Sequence, residues 1–246
     1  MTRPTVVNPK RIGMLTPSSN TVLEPYTARL FMPYVDTVTV HFSRFRLKDI
    51  SLSEASIRQF DHDTIAEAAL RLAEAKVDCI VWNGTAAAWL GMEQDQVLCA
   101  RITEETGIPV TSTMEAFARA IDRLQAKRLA LVTPYTSDIQ NAIIRRYEEQ
   151  GFEIVHETHL GDLDNFSFAN YTVDEIKGHT MKAAESRPDV ILILCTNFRG
   201  ASVAAEVETY MDVPVLDSVS VTAWHCLQEV GVSPAEIAGW GRVFAL

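Results

Sequence analysis

The amino-acid sequence predicts an α/β fold made of two pseudo-symmetric parallel-sheet halves with a cleft between them. Three observations lead there. Short apolar runs alternate with helical stretches along the 246 residues. The runs are continuous rather than alternating, as in strands buried on both faces of a parallel sheet. Three of the segments recur, in the same order, in the two halves of the chain.

In chain order the strands are expected at 11–16, closed by Thr16-Pro17, then 37–42, then 79–82, closed by Asn83-Gly84, and 110–111. The second set is 128–133, closed by Thr133-Pro134, then 152–157, 190–194 and 213–217. Helices are expected between them at 53–75, 92–106, 114–124, 137–150, 173–186, 200–210 and 219–229. Such alternation gives right-handed βαβ units on a mostly parallel, Rossmann-like sheet.

The repeat can be read from the letters. Arg11-Ile-Gly-Met-Leu-Thr-Pro17 matches Arg128-Leu-Ala-Leu-Val-Thr-Pro134 at an offset of 117. Asp78-Cys-Ile-Val-Trp-Asn-Gly84-Thr matches Asp189-Val-Ile-Leu-Ile-Leu-Cys195-Thr at 111, and Gly107-Ile-Pro-Val matches Asp212-Val-Pro-Val at 105. A slowly falling offset is what a duplicated unit with small loop deletions produces. Two halves are therefore expected, 1–124 and 125–246, with room for the C-terminal segment to pack back onto the first.

Composition excludes several classes of function. A formal net charge of −10, without a basic stripe, argues against nucleic acid and anionic membrane surfaces as partners. Apolar runs are strand-length, and the first eleven residues lack the pattern of a signal peptide, so the cytoplasm is the expected location. The four cysteines and six histidines show no metal-ligand spacing, and neither GxGxxG nor GxxxxGK[ST] occurs. No metal and no cofactor are expected. The expected partner is a small carboxylate substrate, held by backbone N–H groups whatever the net charge, with a homo-oligomer left open.

Ligands of parallel sheets bind outside the carboxyl ends of the strands. The loops there carry Pro17, Ser18 and Asn20, then Gly84, Thr85 and Ala86, then Tyr135, then Cys195, Thr196 and Asn197. Small hydroxyls and free N–H groups of this kind suit carboxylates and enediolates. Cys195, at the end of an apolar run, is the candidate catalytic residue, and a thiol there, near a helix N-terminus, is expected to have a lowered pKa and an accessible sulfur. Cys79, Cys99 and Cys226 read as core. Asn20 and Asn165 are candidates for orienting a carboxylate, Tyr135 for bonding an enolate oxygen, and Trp82 and Trp89 for core or pocket wall.

With Pro17-Ser-Ser-Asn20-Thr, Gly84-Thr85, Val132-Thr-Pro-Tyr135, Asp164-Asn165 and Cys195, the chain resembles the aspartate/glutamate racemase superfamily. Within it, the similarity is to the branch of maleate cis-trans isomerases and arylmalonate decarboxylases. The resemblance implies two α/β halves with the active site between them. Racemases and maleate isomerases of the superfamily use one cysteine from each half, whereas here the counterpart of Cys195 is Gly84. A glycine there is similar to the decarboxylases, in which an enediolate held in a dioxyanion hole is reprotonated by a single cysteine. Thr85, Tyr135, Cys195 and the Thr196 amide match positions of such a hole. Ala86, Thr196 and Asn197 depart from the decarboxylase pattern, which favours serine and glycines. Asn20, Tyr135 and Asn165 resemble isomerase residues that hold the substrate's carboxylates. The resemblance thus implies a cofactor-independent decarboxylase of a small malonate-type carboxylate, with Cys195 as proton donor. The alternatives are an isomerase working with one cysteine and a non-catalytic carboxylate-binding relative of the ectoine-utilisation type.

Overall fold

In the computed structural model, which describes residues 8–47, 50, 52 and 62–246, the two sets of strands form two separate four-stranded sheets. The first contains β1 (Lys10–Pro17), β2 (Val38–Phe45), β3 (Cys79–Trp82) and β4 (Val110–Ser112) in the order β2-β1-β3-β4. The second contains β5 (Arg128–Thr133), β6 (Glu153–His159), β7 (Val190–Ile193) and β8 (Val215–Asp217) in the order β6-β5-β7-β8. All neighbouring strands are parallel. The central strands are buried along nearly their whole length, which is why the sequence shows continuous apolar runs there.

The repeat holds at the level of register. Ile12 pairs with Cys79 in the first sheet, and its counterpart Leu129 pairs with Val190 in the second. At the open end of each pair an aspartate closes the backbone. The Arg11 N–H donates to Asp78 Oδ2 at 2.7 Å, and the Arg128 N–H donates to Asp189 Oδ2 at 2.8 Å. Gly107 and its counterpart Asp212 both end helices in the left-handed conformation, with φ of 69° and 52°.

The helices are α1 (Leu23–Leu30), α2 (His62–Glu74), α3 (Ala87–Leu90), α4 (Met92–Thr106), α5 (Thr113–Arg123), α6 (Ser137–Glu149), α7 (Val173–Ala184), α8 (Ala204–Met211) and α9 (Ser218–Glu229). Of the helix expected over 53–75, residues 62–74 are helical and 53–61 lie outside the described residues. α1 was not expected, and it contains Pro25. The proline sits in the first turn, where the N–H it lacks has no intrahelical partner to lose. The helix expected from Gly200 begins only at Ala204, preceded by a 3₁₀ turn at Arg199–Ser202.

α9 is buried from Ser218 to Leu227 and lies against α1 and α5 of the first half. A helix buried on all sides has to be interior, and the hydroxyls of Ser218 and Thr222 find partners there. Thr222 Oγ1 shares a hydrogen bond with Thr113 Oγ1 at 2.9 Å, and His225 Nε2 bonds Thr111 Oγ1 at 2.8 Å. The C-terminal part of the chain is thereby packed into the first half. No described helix is long and apolar enough to cross a membrane.

Candidate active site

The loops after β1, β3, β5 and β7 meet at one cavity between the two sheets. Its wall contains Pro17, Gly84, Thr85, Ala86, Tyr135, Asn165, Cys195 and Thr196, eight of the residues singled out in the sequence. Leu47, Ile50, Trp82, Asn83 and Trp89 complete it. Of these, Leu47, Ile50 and Asn83 carried no signal in the sequence, because a loop residue's approach to the cleft depends on the packing of other elements. The cavity is small, about 20 Å³, on the scale of one water.

Two hydrogen bonds cross between the halves as a pseudo-symmetric pair. Thr85 Oγ1 of the first half shares one with the Tyr135 hydroxyl of the second at 2.8 Å. Asn20 Nδ2 of the first half donates to Thr196 Oγ1 of the second at 3.0 Å. Thr85 and Thr196 are counterparts in the repeat, so the same threonine in each half reaches across to the other. Asn165 adds a third tie, its Nδ2 donating to Ser19 Oγ at 2.8 Å.

Ser18, Asn20 and Asn197 stand behind the cavity rather than in its wall. The Ser18 hydroxyl accepts from the Leu47 N–H at 3.1 Å and donates to the Leu47 carbonyl at 3.2 Å, fixing the loop that follows β2. Asn20 caps α1, its Oδ1 accepting from the N–H groups of Val22 at 3.0 Å and Leu23 at 2.9 Å. Asn197, from the other half, adds a second cap. Its Oδ1 accepts from the Thr21 N–H at 2.8 Å and the Val22 N–H at 3.1 Å, while its Nδ2 donates to the Asn165 carbonyl.

Cys195 departs from expectation in its ionisation. The sulfur is buried, with the residue 2% exposed, and its pKa is pushed up to about 12 rather than lowered. Burial is the largest cause. The Asn197 N–H and the Tyr135 hydroxyl oppose it by favouring the thiolate, while the carboxylates of Asp217 and Asp162 push in the same direction as burial. The expected helix N-terminus is missing, since a 3₁₀ turn follows and α8 starts nine residues beyond the cysteine. Cys195 therefore holds its proton at neutral pH. Asp217, at the end of β8, is itself raised to about 7 by burial, against the Ser220 and Val219 N–H groups that it caps. Burial also drives the Tyr135 hydroxyl well above its usual range, so it stays neutral and acts as a hydrogen-bond partner.

Gly84, the counterpart of Cys195, has no room for a side chain. A Cβ built there would overlap the Trp82 indole, which lies folded over it. The indole is fixed by its Nε1–H, which donates to buried Asp95 Oδ1 at 2.9 Å, and by the Phe45 ring at 5.1 Å. An aromatic ring thus fills the place where a first-half cysteine would project. Among the described residues, no group of three or more His, Cys, Asp or Glu side chains could hold a metal ion.

Two parallel α/β halves of identical strand order, with a cysteine and a ring of hydroxyls and amides in the cleft, define a member of the aspartate/glutamate racemase-like superfamily. The sequence profile described as "Amdase: Arylmalonate decarboxylase" matches residues 12–244, and the chain belongs to that family. It is 25% identical over 235 residues to a maleate isomerase of Pseudomonas putida, covering 91% of this chain and 93% of that one. Its identity to an arylmalonate decarboxylase of Bordetella bronchiseptica is 23% over 242 residues, with 95% of each chain covered. A solved cysteine-to-serine mutant of the Nocardia farcinica maleate cis-trans isomerase, carrying a covalently bound succinylcysteine intermediate, superimposes with a TM-score of 0.86. That comparison covers 96% of this chain and 98% of the other at 22% identity, which is a likeness of fold. The family therefore holds both isomerases and decarboxylases.

Proposed function

We propose that this chain is a cofactor-independent decarboxylase of a small malonate-type carboxylate, with Cys195 as proton donor. One observation carries the reading: the cavity contains a single, protonated cysteine, and the opposite position is a glycine covered by Trp82. Chemistry that needs an acid or nucleophile on both faces of a carbon has only one here.

In the proposed reaction one carboxylate of the dianion is shed as CO2. The electron pair of the broken C–C bond passes into the remaining carboxylate as an enediolate. Thr85, Tyr135 and the Thr196 amide would stabilise its two oxygens. Because Thr85 and Tyr135 bond each other, one hydroxyl proton of the pair stays free for an oxyanion. The Cys195 S–H then gives its proton to the α-carbon, leaving a monocarboxylate. The thiolate, held by the Asn197 N–H and the Tyr135 hydroxyl, recovers a proton from water. A raised pKa suits this role, since the group must arrive protonated.

The experiment is incubation with methylmalonate, phenylmalonate and maleate in D2O, following CO2, fumarate and deuterium. CO2 release with one deuteron at the α-carbon, abolished in Cys195→Ala, supports the reading. Fumarate from maleate without CO2 from either malonate sinks it and favours a one-cysteine isomerase, toward which the maleate isomerase relatives point. Tight carboxylate binding without turnover favours the non-catalytic relative.

A further inference from the structure

We infer that Trp82 is the specificity-determining residue of this site: its indole is the partition between the Cys195 cavity and an adjoining chamber, and it restricts the substrate to a small substituent. Trp82 and Ala86 belong to the walls of both spaces, and of the two Trp82 is the large side chain. On one side is the site cavity of about 20 Å³. On the other is a chamber of about 190 Å³, whose wall joins the apolar Ile65, Ala87, Leu90 and Leu98 to the polar His62, Gln94 and Asp95. An apolar cavity of ~150 Å³ is enough to take up benzene, so the chamber is of a size for an aryl group. The ring is 2% exposed and locked on three sides, by the Asp95 hydrogen bond at 2.9 Å, by Phe45, and by the bare backbone of Gly84. A ring so held is a fixed wall, because moving it would break a buried hydrogen bond to a buried carboxylate and strand the indole N–H. The missing side chain at Gly84 then has a second consequence. It is the space the partition occupies, so the loss of a second acid/base group and the narrowing of the pocket have one physical origin.

The inference rests on the decarboxylase reading only for the choice of malonates as probes. The test is calorimetric titration of methylmalonate and phenylmalonate into the wild-type chain, Trp82→Ala and Trp82→Phe, with CO2 release measured alongside. The wild type is expected to bind methylmalonate at least tenfold more tightly than phenylmalonate. Trp82→Ala should gain tenfold or more for phenylmalonate, and Trp82→Phe, which keeps a wall, should stay near wild type. Circular dichroism checks folding, and Trp82→Leu takes the place of the alanine variant if that one is unfolded. Equal binding of the two malonates by the wild type, or no gain in a folded Trp82→Ala or Trp82→Leu, overturns the inference. Binding is read without turnover, so a Trp82-dependent preference without CO2 release sinks the decarboxylase reading and leaves the partition standing. CO2 release indifferent to Trp82 does the reverse.

Discussion

Thr85 and Tyr135, fifty residues apart and in different halves, share a buried hydrogen bond of 2.8 Å in the wall of the Cys195 cavity. Its mirror is the Asn20–Thr196 bond at 3.0 Å, so the cleft is closed by the same threonine position used twice.

If the Thr85–Tyr135 pair stabilises an enediolate, Tyr135→Phe removes one donor and leaves the other without its partner. The expected loss in kcat is roughly 100- to 1,000-fold, the usual effect of deleting one oxyanion donor, with a smaller change in KM. Steady-state CO2 release checks it. A kcat within threefold of wild type would remove Tyr135 from the hole.

The ionisation of Cys195 sets the pH behaviour. Its folded pKa of about 12 lies above the ordinary thiol value of 9.0, so the folded state holds the proton more tightly than the unfolded chain. The stability this contributes is complete below pH 9 and is lost as pH rises toward 12. Iodoacetamide should accordingly alkylate Cys195 slowly at pH 8 and faster with each step upward, as followed by peptide mass spectrometry. Half-maximal reactivity near pH 7 would mean an activated thiolate and a different role.

Restoring a cysteine at Gly84 should not by itself create a two-base enzyme. Gly84→Cys forces its Cβ into the Trp82 ring, an overpacking expected to cost ~1–3 kcal/mol and to lower the urea midpoint. In the Trp82→Ala/Gly84→Cys double variant the clash is gone, and the two effects should be non-additive in the relieving direction. Denaturation of the four proteins in the cycle measures it.

Asn197 ties α1 of the first half to the loop after β7. In Asn197→Ala the Thr21 N–H loses its acceptor, while the Val22 and Leu23 N–H groups keep Asn20 Oδ1. A loss of ~1–3 kcal/mol is expected, as for other buried hydrogen-bonding groups left unpaired. Amide exchange should quicken at Thr21 far more than at Leu23. Uniform protection across α1 would show that Asn20 alone fixes the cap.

What was legible in the sequence follows from periodicity and repetition. Continuous apolar runs marked the central strands because both of their faces are covered, and the repeated Arg-to-Pro and Asp-to-Thr segments marked equal registers in the two sheets. The same matching placed Cys195 opposite Gly84 and named most of the cavity wall. α1 was missed because its start is held by two asparagines, one of them 175 residues beyond Val22.

By itself the sequence determined the α/β class, the duplication, the loops that form the site and the single cysteine, since each is a property of neighbouring letters or of their recurrence. Only the tertiary structure decided the state and surroundings of that cysteine. A thiol's pKa depends on how much water the packed neighbours exclude, and burial raised a pKa that was expected to be lowered. Likewise, glycine at 84 could be read as an absence, but the indole two residues away that fills its space is visible only when the chain is folded.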